Sequence, residues 1–246
     1  MPRALDYGRY YRKWHPEGER HLRQMMRYHD RTLGRFLPAA AASRILEIGS
    51  GMGFLLSLLR EKGYARSAGL EVDPGQAAAC RAKGLDVTLV TDTEAYLRSR
   101  PKSWDAVLAL DVLEHVPVEK TEVLLAAIFA ALTPGGRLIA TVPNADSGLA
   151  FRWRYNDRTH AASFTDISLT ALLHEAGFAN IRVSGAGSFL RPRLPFLLRP
   201  AVFRWLLLRT AWGFRRLEKI AELGWREGRR MPLSLNLLAA ADKPRA

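Results

Sequence analysis

The sequence contains one cysteine, and its acidic residues are outnumbered by basic ones. Cys80, alone among 246 residues, excludes an internal disulfide and a cysteine-based metal cluster, which suits a reducing compartment. We expect its side chain to be buried as a small apolar group. The 24 acidic residues against 37 lysines and arginines give a formal net charge of +13. This imbalance indicates an anionic partner, which can be nucleic acid, a membrane surface or a phosphorylated substrate.

Long apolar segments are also missing. Residues 1–11 contain no apolar stretch of the kind found in a signal peptide. The longest apolar region, 194–214, is interrupted by Arg199, Arg204 and Arg209, which argues against a membrane-spanning helix. Internal repeats and low-complexity segments are not evident. We therefore expect a cytoplasmic protein that can lie on the inner face of a membrane without crossing it.

The residues that are present favour one globular domain. Hydrophobic residues make up 48% and charged residues 25% of the chain, as in a typical globular protein. A length of 246 residues suits one sizeable α/β domain and is too short for two. Hydrophobic runs bounded by turn residues predict six strands. They are Ile45–Ile48, Arg66–Glu71, Asp86–Val90, Ser103–Leu110, Arg137–Val142 and a strand that begins with Arg182–Gly185.

Alternate glycines mark the most distinctive stretch, residues 44–59. A buried strand is predicted up to Ile48 and a helix from Phe54, with Gly49, Gly51 and Gly53 between them. Glycines in a strand-to-helix turn allow positive φ and a close approach of a ligand to the backbone. A dinucleotide fingerprint needs its third glycine where Phe54 stands, so a nicotinamide site is disfavoured. A purely structural turn is the alternative interpretation.

Three further segments follow this turn in a recognisable order. An acid, Glu71, ends the second predicted strand; Asp-Val-Leu-Glu-His-Val spans 111–116; and Leu-Thr-Pro-Gly-Gly spans 132–136. Together with the acid-x-Gly-x-Gly-x-Gly pattern at 47–53, they resemble the motifs of the class I S-adenosylmethionine-dependent methyltransferases. The resemblance covers residues 44–143, and an Asn/Asp-Pro-Pro-aromatic motif of the amino-methylating branches is missing from it.

The resemblance implies a Rossmann-like α/β fold: a seven-stranded sheet with helices on both faces and an antiparallel last strand, which Leu233–Ala241 fits. The expected single domain spans 1–246, with a helical cap at 1–37, a cofactor-binding core at 38–188 and a final strand and tail at 232–246. A helix is expected from Pro16 to about Leu37. Tyr10, Tyr11 and His15 either face the substrate or pin this cap to the domain.

The resemblance also implies S-adenosylmethionine as cofactor, S-adenosylhomocysteine as product and no metal ion. In the family, the acid before the glycines helps to hold the methionine end of the cofactor, which assigns that role to Glu47. We expect Glu71 to accept hydrogen bonds from the ribose hydroxyls. Asp92 is assigned to the adenine amino group, with helix capping as the alternative. The expected binding residues of the turn are Gly49, Ser50, Gly51 and Gly53.

Asp111 is a further expected cofactor-binding residue, because it ends the fourth strand at the edge where α/β sheets bind ligands. Catalytic candidates follow the fourth and fifth predicted strands, and the first of them, His115, lies one turn after Asp111. Residues 157–165 resemble the D-x-T-H-x-x-x-F-T loop of a bacterial subgroup associated with polysaccharide and lipid-linked glycan genes. His160 in this loop has the chemistry of a general base, and we expect Asp157 to orient it. For both histidines, a structural role is the alternative.

A basic insertion, residues 189–231, separates the last two predicted strands, and we expect a helix over about 200–223. A helical projection puts eight apolar side chains on one face: Val202, Phe203, Leu206, Leu207, Phe214, Leu217, Ile220 and Ala221. The other side carries Arg204, Arg209, Arg215, Arg216 and Lys219, with Trp205 and Trp212. This combination is typical of a helix in a membrane interface. Docking on its own domain or on a second copy is the alternative.

From these features we expect an O-methyltransferase acting on a sugar hydroxyl of a lipid-linked or surface glycan, or of its precursor. The alternative acceptor is a small molecule of the polyprenyl-quinone type. A hypothesis of another class is a non-catalytic S-adenosylmethionine-binding scaffold. RNA methylation is less favoured, because no RNA-binding module is recognised. The expected partners are a hydroxylated acceptor and an anionic membrane surface at 200–223, whereas the oligomeric state is not predicted.

Overall fold

The structure, a computed structural model, describes residues 18–187 and 201–245, in which helices and strands alternate. The helices are α1 (Glu19–Leu33), α2 (Phe54–Glu61), α3 (Pro74–Ala82), α4 (Thr93–Arg98), α5 (Val118–Ala131), α6 (Ala150–Asn156), α7 (Asp166–Glu175), α8 (Ala201–Leu223) and α9 (Trp225–Arg230). The strands are β1 (Ile45–Ile48), β2 (Ser67–Glu71), β3 (Val87–Leu89), β4 (Trp104–Leu110), β5 (Leu132–Pro143), β6 (Ala179–Gly185) and β7 (Asn236–Asp242). Single 3₁₀ turns follow α1 (Gly34–Phe36) and β4 (Leu113–His115).

The strands form one seven-stranded sheet in the order β3-β2-β1-β4-β5-β7-β6. Strand β1 pairs in parallel with β2 on one side and β4 on the other, whereas β7 is antiparallel to both β5 and β6. This topology confirms the predicted Rossmann-like sheet with its antiparallel last strand. Because the chain order reverses direction at β1 and β4, the carboxyl ends of these strands form a crevice at which α/β sheets bind ligands.

Apolar residues cover both faces of the sheet, which explains why its central strands are apolar throughout. All four residues of β1 are buried. One core cluster joins alternate strand residues to α5 and α7, with Leu125, Ile128 and Leu169 among its members. The other joins the opposite face to α1, α2 and α3, through residues such as Leu33 and Leu59. The sheet is therefore a rigid base between two helical layers.

The N-terminal helix packs on the layer that contains α2. Its buried residues include Met25, Met26 and Leu33, at the helical spacing expected from the sequence. The predicted substrate-side residues Tyr10, Tyr11 and His15, and the predicted helix start at Pro16, lie outside the described residues. The same holds for residues 188–200 of the predicted insertion.

Some element boundaries differ from the predictions. Residues Thr133–Gly136, predicted to precede the fifth strand, are part of it. Strand β5 begins at Leu132, which pairs with Trp104, and its regular pairing with β4 resumes only at Arg137. Gly135, at φ 79°, accommodates this irregularity. Strand β7 begins at Asn236 rather than at Leu233. Helices α6 and α9, of seven and six residues, are short and lack a clear apolar period, and were not predicted.

Helix α8 differs from its prediction in orientation. Arg215, Arg216 and Lys219 are partly buried, and the Arg216 guanidinium donates to the main-chain carbonyls of Gly228 and Met231. Phe214 and Leu217 on the apolar face are instead 69% and 62% exposed. The basic side of this part of α8 thus faces the protein and the apolar side faces solvent. Among the described residues, we find no helix long and apolar enough to cross a membrane.

Candidate functional site

Three predicted acidic residues converge at the carboxyl edge of the central strands. Glu47 lies on β1, Glu71 is the last residue of β2, and Asp111 directly follows β4. The parallel registers align the two outer strands with β1, since Ile48 pairs with both Leu70 and Ala109. The three carboxylates therefore lie at one end of the sheet, as the sequence predicted.

The glycine turn between β1 and α2 is tightly enclosed. Gly49, Gly51 and Gly53 have φ angles of 71°, 52° and 75°, a region that disfavours other residues. A Cβ atom on Gly49 would lie 2.9 Å from the Val112 side chain, and one on Gly53 would collide with Leu85. The turn therefore needs glycine both for its backbone conformation and for the space beside it.

Glu47 is a buried carboxylate with unused hydrogen-bonding capacity. It is 4% exposed, and its Oε2 atom has no hydrogen-bond partner among the described residues. Burial, followed by repulsion from Glu71, raises the pKa of Glu47 well above its usual range, and a hydrogen bond from the Leu56 main chain acts in the opposite direction. A buried acceptor without a partner is costly, and a ligand with a charged amino group would satisfy it.

Glu71 holds the glycine turn against the end of β2. Its Oε2 atom accepts the main-chain N–H of Gly51 at 2.7 Å. Its Oε1 atom accepts the N–H groups of Val72 and Asp73 at 2.8 and 2.9 Å. The Oε2 atom retains a second lone pair, so Glu71 is oriented by the backbone and can still accept a hydroxyl group.

Two other predicted cofactor residues have local structural partners. The Ser50 hydroxyl donates to the main-chain carbonyl of Leu70 at 3.2 Å and is buried next to Gly69. The Asp92 carboxylate accepts the N–H of Ala95 at 2.9 Å and caps α4. Asp73 caps α3 in the same way. Cofactor contacts of Ser50 and Asp92 stay predictions.

Asp111 is held in an unusual conformation at the end of β4. Its φ angle is 53°, in the left-handed region that residues other than glycine rarely occupy. Thr141 of β5 accepts its main-chain N–H and donates a hydroxyl to its Oδ1 atom at 3.0 Å. Asn236 of β7 donates to the same oxygen at 3.1 Å. Strands β5 and β7 thus fix this carboxylate at the edge of the crevice.

The predicted catalytic residues form a cluster beside Asp111, but their pairing differs from the expectation. The Asp157 Oδ1 atom accepts the Thr159 hydroxyl at 2.7 Å, and the Thr159 Oγ1 atom lies 2.7 Å from Nδ1 of His115. This series of hydrogen bonds leads from Asp157 to His115, whereas the sequence predicted that Asp157 orients His160. Thr159 was not identified from the sequence, although it lies within the D-x-T-H segment.

Burial keeps His115 neutral. Desolvation, and then the neighbouring His160 ring, lower the pKa of His115 to about 4, against the raising effects of Asp157 and of a hydrogen bond to the Thr159 main chain. The His115 and His160 rings meet edge to face with centroids 4.6 Å apart. Both rings are only partly buried, so the neutral imidazole of His115 is accessible at the edge of the crevice.

Glu114 is a further member of this cluster. It is buried, and burial, followed by repulsion from Asp111, raises its pKa well above the usual range. Its main-chain carbonyl accepts the N–H groups of Ala161 and Ala162, which ties the loop to the 3₁₀ turn. Glu114, His115 and His160 each place one potential ligand atom within 4.8 Å of the others. This donor set can suit a divalent cation or a proton-transfer site, so the expectation of no metal stays a prediction.

Helix α1 lies over the crevice. The His21 ring meets Phe54, the first residue of α2, with centroids 5.4 Å apart. Burial and then the negative charge of Asp111 raise the pKa of Tyr28, which also hydrogen-bonds to Thr32. Tyr28 and Asn236 were missed by sequence reasoning, because neither lies in a motif and only the fold brings them to Asp111.

Comparisons with known proteins agree with this geometry. A family model described as a methyltransferase domain matches residues 19–183, which is more than half of the chain. A ubiquinone biosynthesis O-methyltransferase of Xylella fastidiosa (strain 9a5c) is 29% identical over 109 residues, covering 42% of this chain and 43% of that protein. The chain thus matches less than half the length of this relative.

Solved structures with the same fold cover nearly the whole chain. An S-adenosylmethionine-dependent methyltransferase from Archaeoglobus fulgidus aligns with a TM-score of 0.68 and 23% identity, over 97% of this chain and 100% of that one. A Haemonchus contortus phosphoethanolamine N-methyltransferase 2, solved with S-adenosyl-L-methionine, aligns with a TM-score of 0.59 and 19% identity, over 99% of this chain and 61% of that one.

The crevice fits S-adenosylmethionine on the chemistry of its donors. The Glu47 oxygen without a partner suits the amino group, and the oriented Glu71 carboxylate suits a ribose hydroxyl. The chain belongs to the methyltransferase domain family and has the class I S-adenosylmethionine-dependent fold, with S-adenosylmethionine as its cofactor.

Proposed function

We propose that the protein transfers a methyl group from S-adenosylmethionine to a hydroxyl oxygen of a small organic acceptor. The observation that carries this proposal is the neutral imidazole of His115 at the edge of the crevice, three residues after the Val112 side chain that packs on Gly49. A neutral imidazole can take a proton from a hydroxyl group, which is the proton transfer that O-methylation needs.

In this proposal the cofactor supplies the reactive group, and the side chains hold it in position. When bound, S-adenosylmethionine supplies an electrophilic methyl group. Glu47 and Glu71 hold its amino and ribose groups, the glycine turn gives it space, and Asp92 contacts its adenine. Asp111 faces the reacting end of the crevice. These residues contribute mainly by fixing position, because correct alignment alone accounts for much of the rate of such transfers.

Among acceptors, we favour a small hydroxylated molecule of the polyprenyl-quinone type over a glycan. The relative from Xylella fastidiosa carries the name ubiquinone biosynthesis O-methyltransferase, and its match supports this acceptor class for the present chain. The glycan hypothesis rests only on the resemblance of residues 157–165. A non-catalytic scaffold and an RNA methyltransferase are outcomes that the experiment below distinguishes.

We also propose that α8 attaches the protein to an anionic membrane surface, where a lipid-soluble acceptor is available. Large apolar side chains are exposed along α8 and α9: Phe203, Leu206, Leu207, Leu208, Trp212, Phe214, Leu217, Leu223 and Trp225. An exposed patch of this kind marks an interaction site in a globular protein. The basic residues around it, including Arg226, Arg229 and Arg230, and the net charge of +13 favour an anionic lipid surface as the partner.

The proposed function is tested by incubating the purified protein with methyl-labelled S-adenosylmethionine and three separate acceptor preparations. These are a polyprenylated catechol in anionic vesicles, a lipid-linked glycan extract and total RNA. We expect label in the catechol, and a loss of about a hundredfold or more in turnover for His115→Gln. His174→Gln, at an exposed position on α7, is the matched control and should retain activity.

Other distributions of the label would contradict the proposal. Label in the glycan extract would identify the acceptor expected from the loop motif, and label in RNA would overturn the small-molecule assignment. If the protein binds S-adenosylmethionine in a calorimeter but labels none of the three, the scaffold hypothesis is favoured. Repeating the catechol assay after dialysis against a chelator tests the expectation that no metal is needed, because activity should then persist.

A further inference from the structure

A pocket of about 390 Å³ lies between the end of α1 and the end of β6. The residues that line it come from α1, from the 3₁₀ turn after it and from the chain at the end of β6: Tyr28, Arg31, Thr32, Arg35, Gly185 and Gly187. Its two walls are close together, since a Cβ atom on Gly187 would lie 3.3 Å from the Thr32 hydroxyl oxygen. Pockets for small molecules have volumes of about 300–1,000 Å³, so this pocket has the size for a small ligand. We call it the arginine pocket.

The helical wall of the arginine pocket is polar and carries two positive charges. Tyr28, Arg31, Thr32 and Arg35 follow the spacing of one helical face, over a length of roughly 10 Å. Neither guanidinium forms an ion pair with a described residue, and that of Arg35 lies over the Phe36 ring at 4.6 Å. Acidic side chains are missing from the described lining of the pocket. The two guanidinium groups therefore favour an anionic ligand.

The inner end of the arginine pocket lies next to the crevice. Tyr28 hydrogen-bonds to Thr32, and burial, followed by the negative charge of Asp111, raises the pKa of its phenol, which keeps the hydroxyl protonated. Between the two lining glycines, the main-chain N–H of Ala186 donates to the carbonyl of Asn236 at 2.8 Å. The Asn236 side chain donates to Asp111 at 3.1 Å. A molecule in the pocket thus has one end near Asp111 and the other end near the arginines.

Charge determines how an anionic molecule lies in the arginine pocket. The Asp111 carboxylate repels an anionic group, whereas Arg31 and Arg35 attract it, so this group belongs at the outer end. A guanidinium forms two parallel hydrogen bonds with a carboxylate or a phosphate, which gives both strength and orientation. The uncharged end of the molecule then extends toward the carboxyl edge of the central strands, where the cofactor binds.

We propose that the arginine pocket binds an anionic group of the acceptor, a carboxylate or a phosphate, while the hydroxyl of the same molecule points into the crevice. This inference rests on the proposed function and deepens it, because it assigns the acceptor to the anionic hydroxylated compounds. In this assignment Arg31 and Arg35 determine specificity. They hold the acceptor at a distance from the reacting atoms and take no part in proton transfer.

The anion preference can be measured with three catechols that differ in one substituent. They are protocatechuate, its neutral amide, and a catechol with a phosphate ester in place of the carboxylate. Titration calorimetry of the full chain saturated with S-adenosylhomocysteine gives their dissociation constants. We expect at least one of the two anions to bind about tenfold or more tightly than the amide, and the stronger one identifies the group. If neither anion binds more tightly than the amide, the inference fails.

Variants separate the arginine pocket from the overall positive charge. The double variant Arg31→Gln with Arg35→Gln should bind the preferred anion about tenfold or more weakly, with unchanged affinity for the amide. The matched control is Arg20→Gln with Arg27→Gln, which removes two exposed arginines of α1 that do not line the pocket. It should keep the wild-type preference. A preference retained in the first variant, or lost equally in the second, would overturn the inference.

Turnover distinguishes failure of this inference from failure of the proposed function. With methyl-labelled S-adenosylmethionine, Arg31→Gln with Arg35→Gln should raise the KM for the anionic catechol by about tenfold or more, with little change in kcat. If the catechol is methylated with the same KM in this variant, the inference fails and the proposed function stands. If the arginines bind the anion as expected but its hydroxyl oxygen is not methylated, the anion site stands and the proposed function fails.

Discussion

The main-chain N–H of Gly51 donates a hydrogen bond of 2.7 Å to the carboxylate of Glu71, so the acid that ends β2 holds the glycine turn that follows β1. This relationship makes Glu71 part of both the turn and the expected ribose site. Because it binds three main-chain N–H groups, the carboxylate is oriented before any ligand arrives.

We therefore predict that Glu71→Gln weakens S-adenosylmethionine binding by about tenfold or more, since a charge-assisted acceptor is replaced by an amide. Titration calorimetry measures the dissociation constant. Asp86→Asn, an exposed acid just before β3, is the control and should bind normally. Unchanged affinity in Glu71→Gln would remove this residue from the cofactor site.

Glu47 gives a prediction in which binding and stability change in opposite directions. Because the pKa of Glu47 is raised in the folded state, the folded protein binds more protons than the unfolded chain above the usual carboxyl pKa, and stability falls as pH rises through this range. We predict that Glu47→Gln raises the free energy of unfolding at pH 8 and lowers S-adenosylmethionine affinity by about tenfold. Urea unfolding at pH 5 and pH 8 measures the first effect. A variant less stable than the wild type at pH 8 would contradict it.

Alanine substitutions at two glycines with positive φ distinguish the cost of backbone strain from the cost of steric crowding. Gly53 (φ 75°) has the side chains of Leu85 and Cys80 against the position of a Cβ, whereas Gly63 (φ 84°) has open space there. We predict that Gly63→Ala costs about 1 kcal/mol of unfolding free energy from conformation alone. Gly53→Ala should cost about 2–4 kcal/mol, because overpacking adds to the same strain. Equal losses in chemical denaturation would show that the neighbours of Gly53 move aside easily.

The low pKa of His115 predicts a loss of stability in acid. The ring has a pKa of about 4 in the folded state and a usual value of 6.5, so the unfolded chain binds more protons between these values. The contribution of His115 to the free energy of unfolding is fully present above about pH 6.5 and is lost as the pH falls toward 4.

The wild-type protein should lose unfolding free energy between pH 7 and pH 4.5, and we predict that this loss is about 1–2 kcal/mol smaller in His115→Gln. The figure includes a reduction for the partial exposure of the ring. The groups that face His115 are His160, Thr159, Asp157 and Glu114, and all are retained in the variant. His174→Gln serves as the control. Identical pH dependence in both variants would contradict the prediction.

The exposed apolar side of α8 predicts binding to anionic vesicles. We expect the double variant Phe214→Ser with Leu217→Ser to sediment with phosphatidylglycerol vesicles at least about tenfold less than the wild type, because two large apolar side chains no longer enter the interface. Ile167→Ser removes a side chain that is equally exposed, at 67%, but lies on α7. Its vesicle binding should be unchanged. If the double variant still sediments fully, α8 is not the membrane contact.

Much of the fold could be predicted from the sequence because its signals are local. Alternation between apolar runs and turn residues locates six of the seven strands of the sheet, the last being expected from the family resemblance, and the cap at Asp73 follows from an acid directly before a proline. Errors occurred where tertiary contacts compete with local pattern. Residues 132–136 have the composition of a turn, yet pairing of Leu132 with β4 and main-chain hydrogen bonds to Lys243, directly after β7, draw them into β5.

The candidate site could be predicted only in part. Glu71 ends β2, Glu47 lies one residue before the end of β1 and Asp111 directly follows β4, so their meeting at one edge follows from parallel topology. The pairing of Asp157 with Thr159 and then His115 does not, because sequence proximity suggested His160, its neighbour in the same loop. The loop returns to the 3₁₀ turn through its hydrogen bonds to the Glu114 carbonyl, and this path determines that Thr159 contacts the His115 ring.

Sequence alone thus determined the class of sheet, the glycine turn and the acids around it, since each depends on conformational preferences of neighbouring residues. Tertiary structure decided which histidine is oriented and which side of α8 faces solvent. The helical pattern of α8 defines an apolar side and a basic side, but the hydrogen bonds from Arg216 to Gly228 and Met231 turn the basic side inward. These contacts join residues 12 and 15 positions apart, so they depend on how the chain folds back after α8 and are not encoded in the helical pattern of α8 itself.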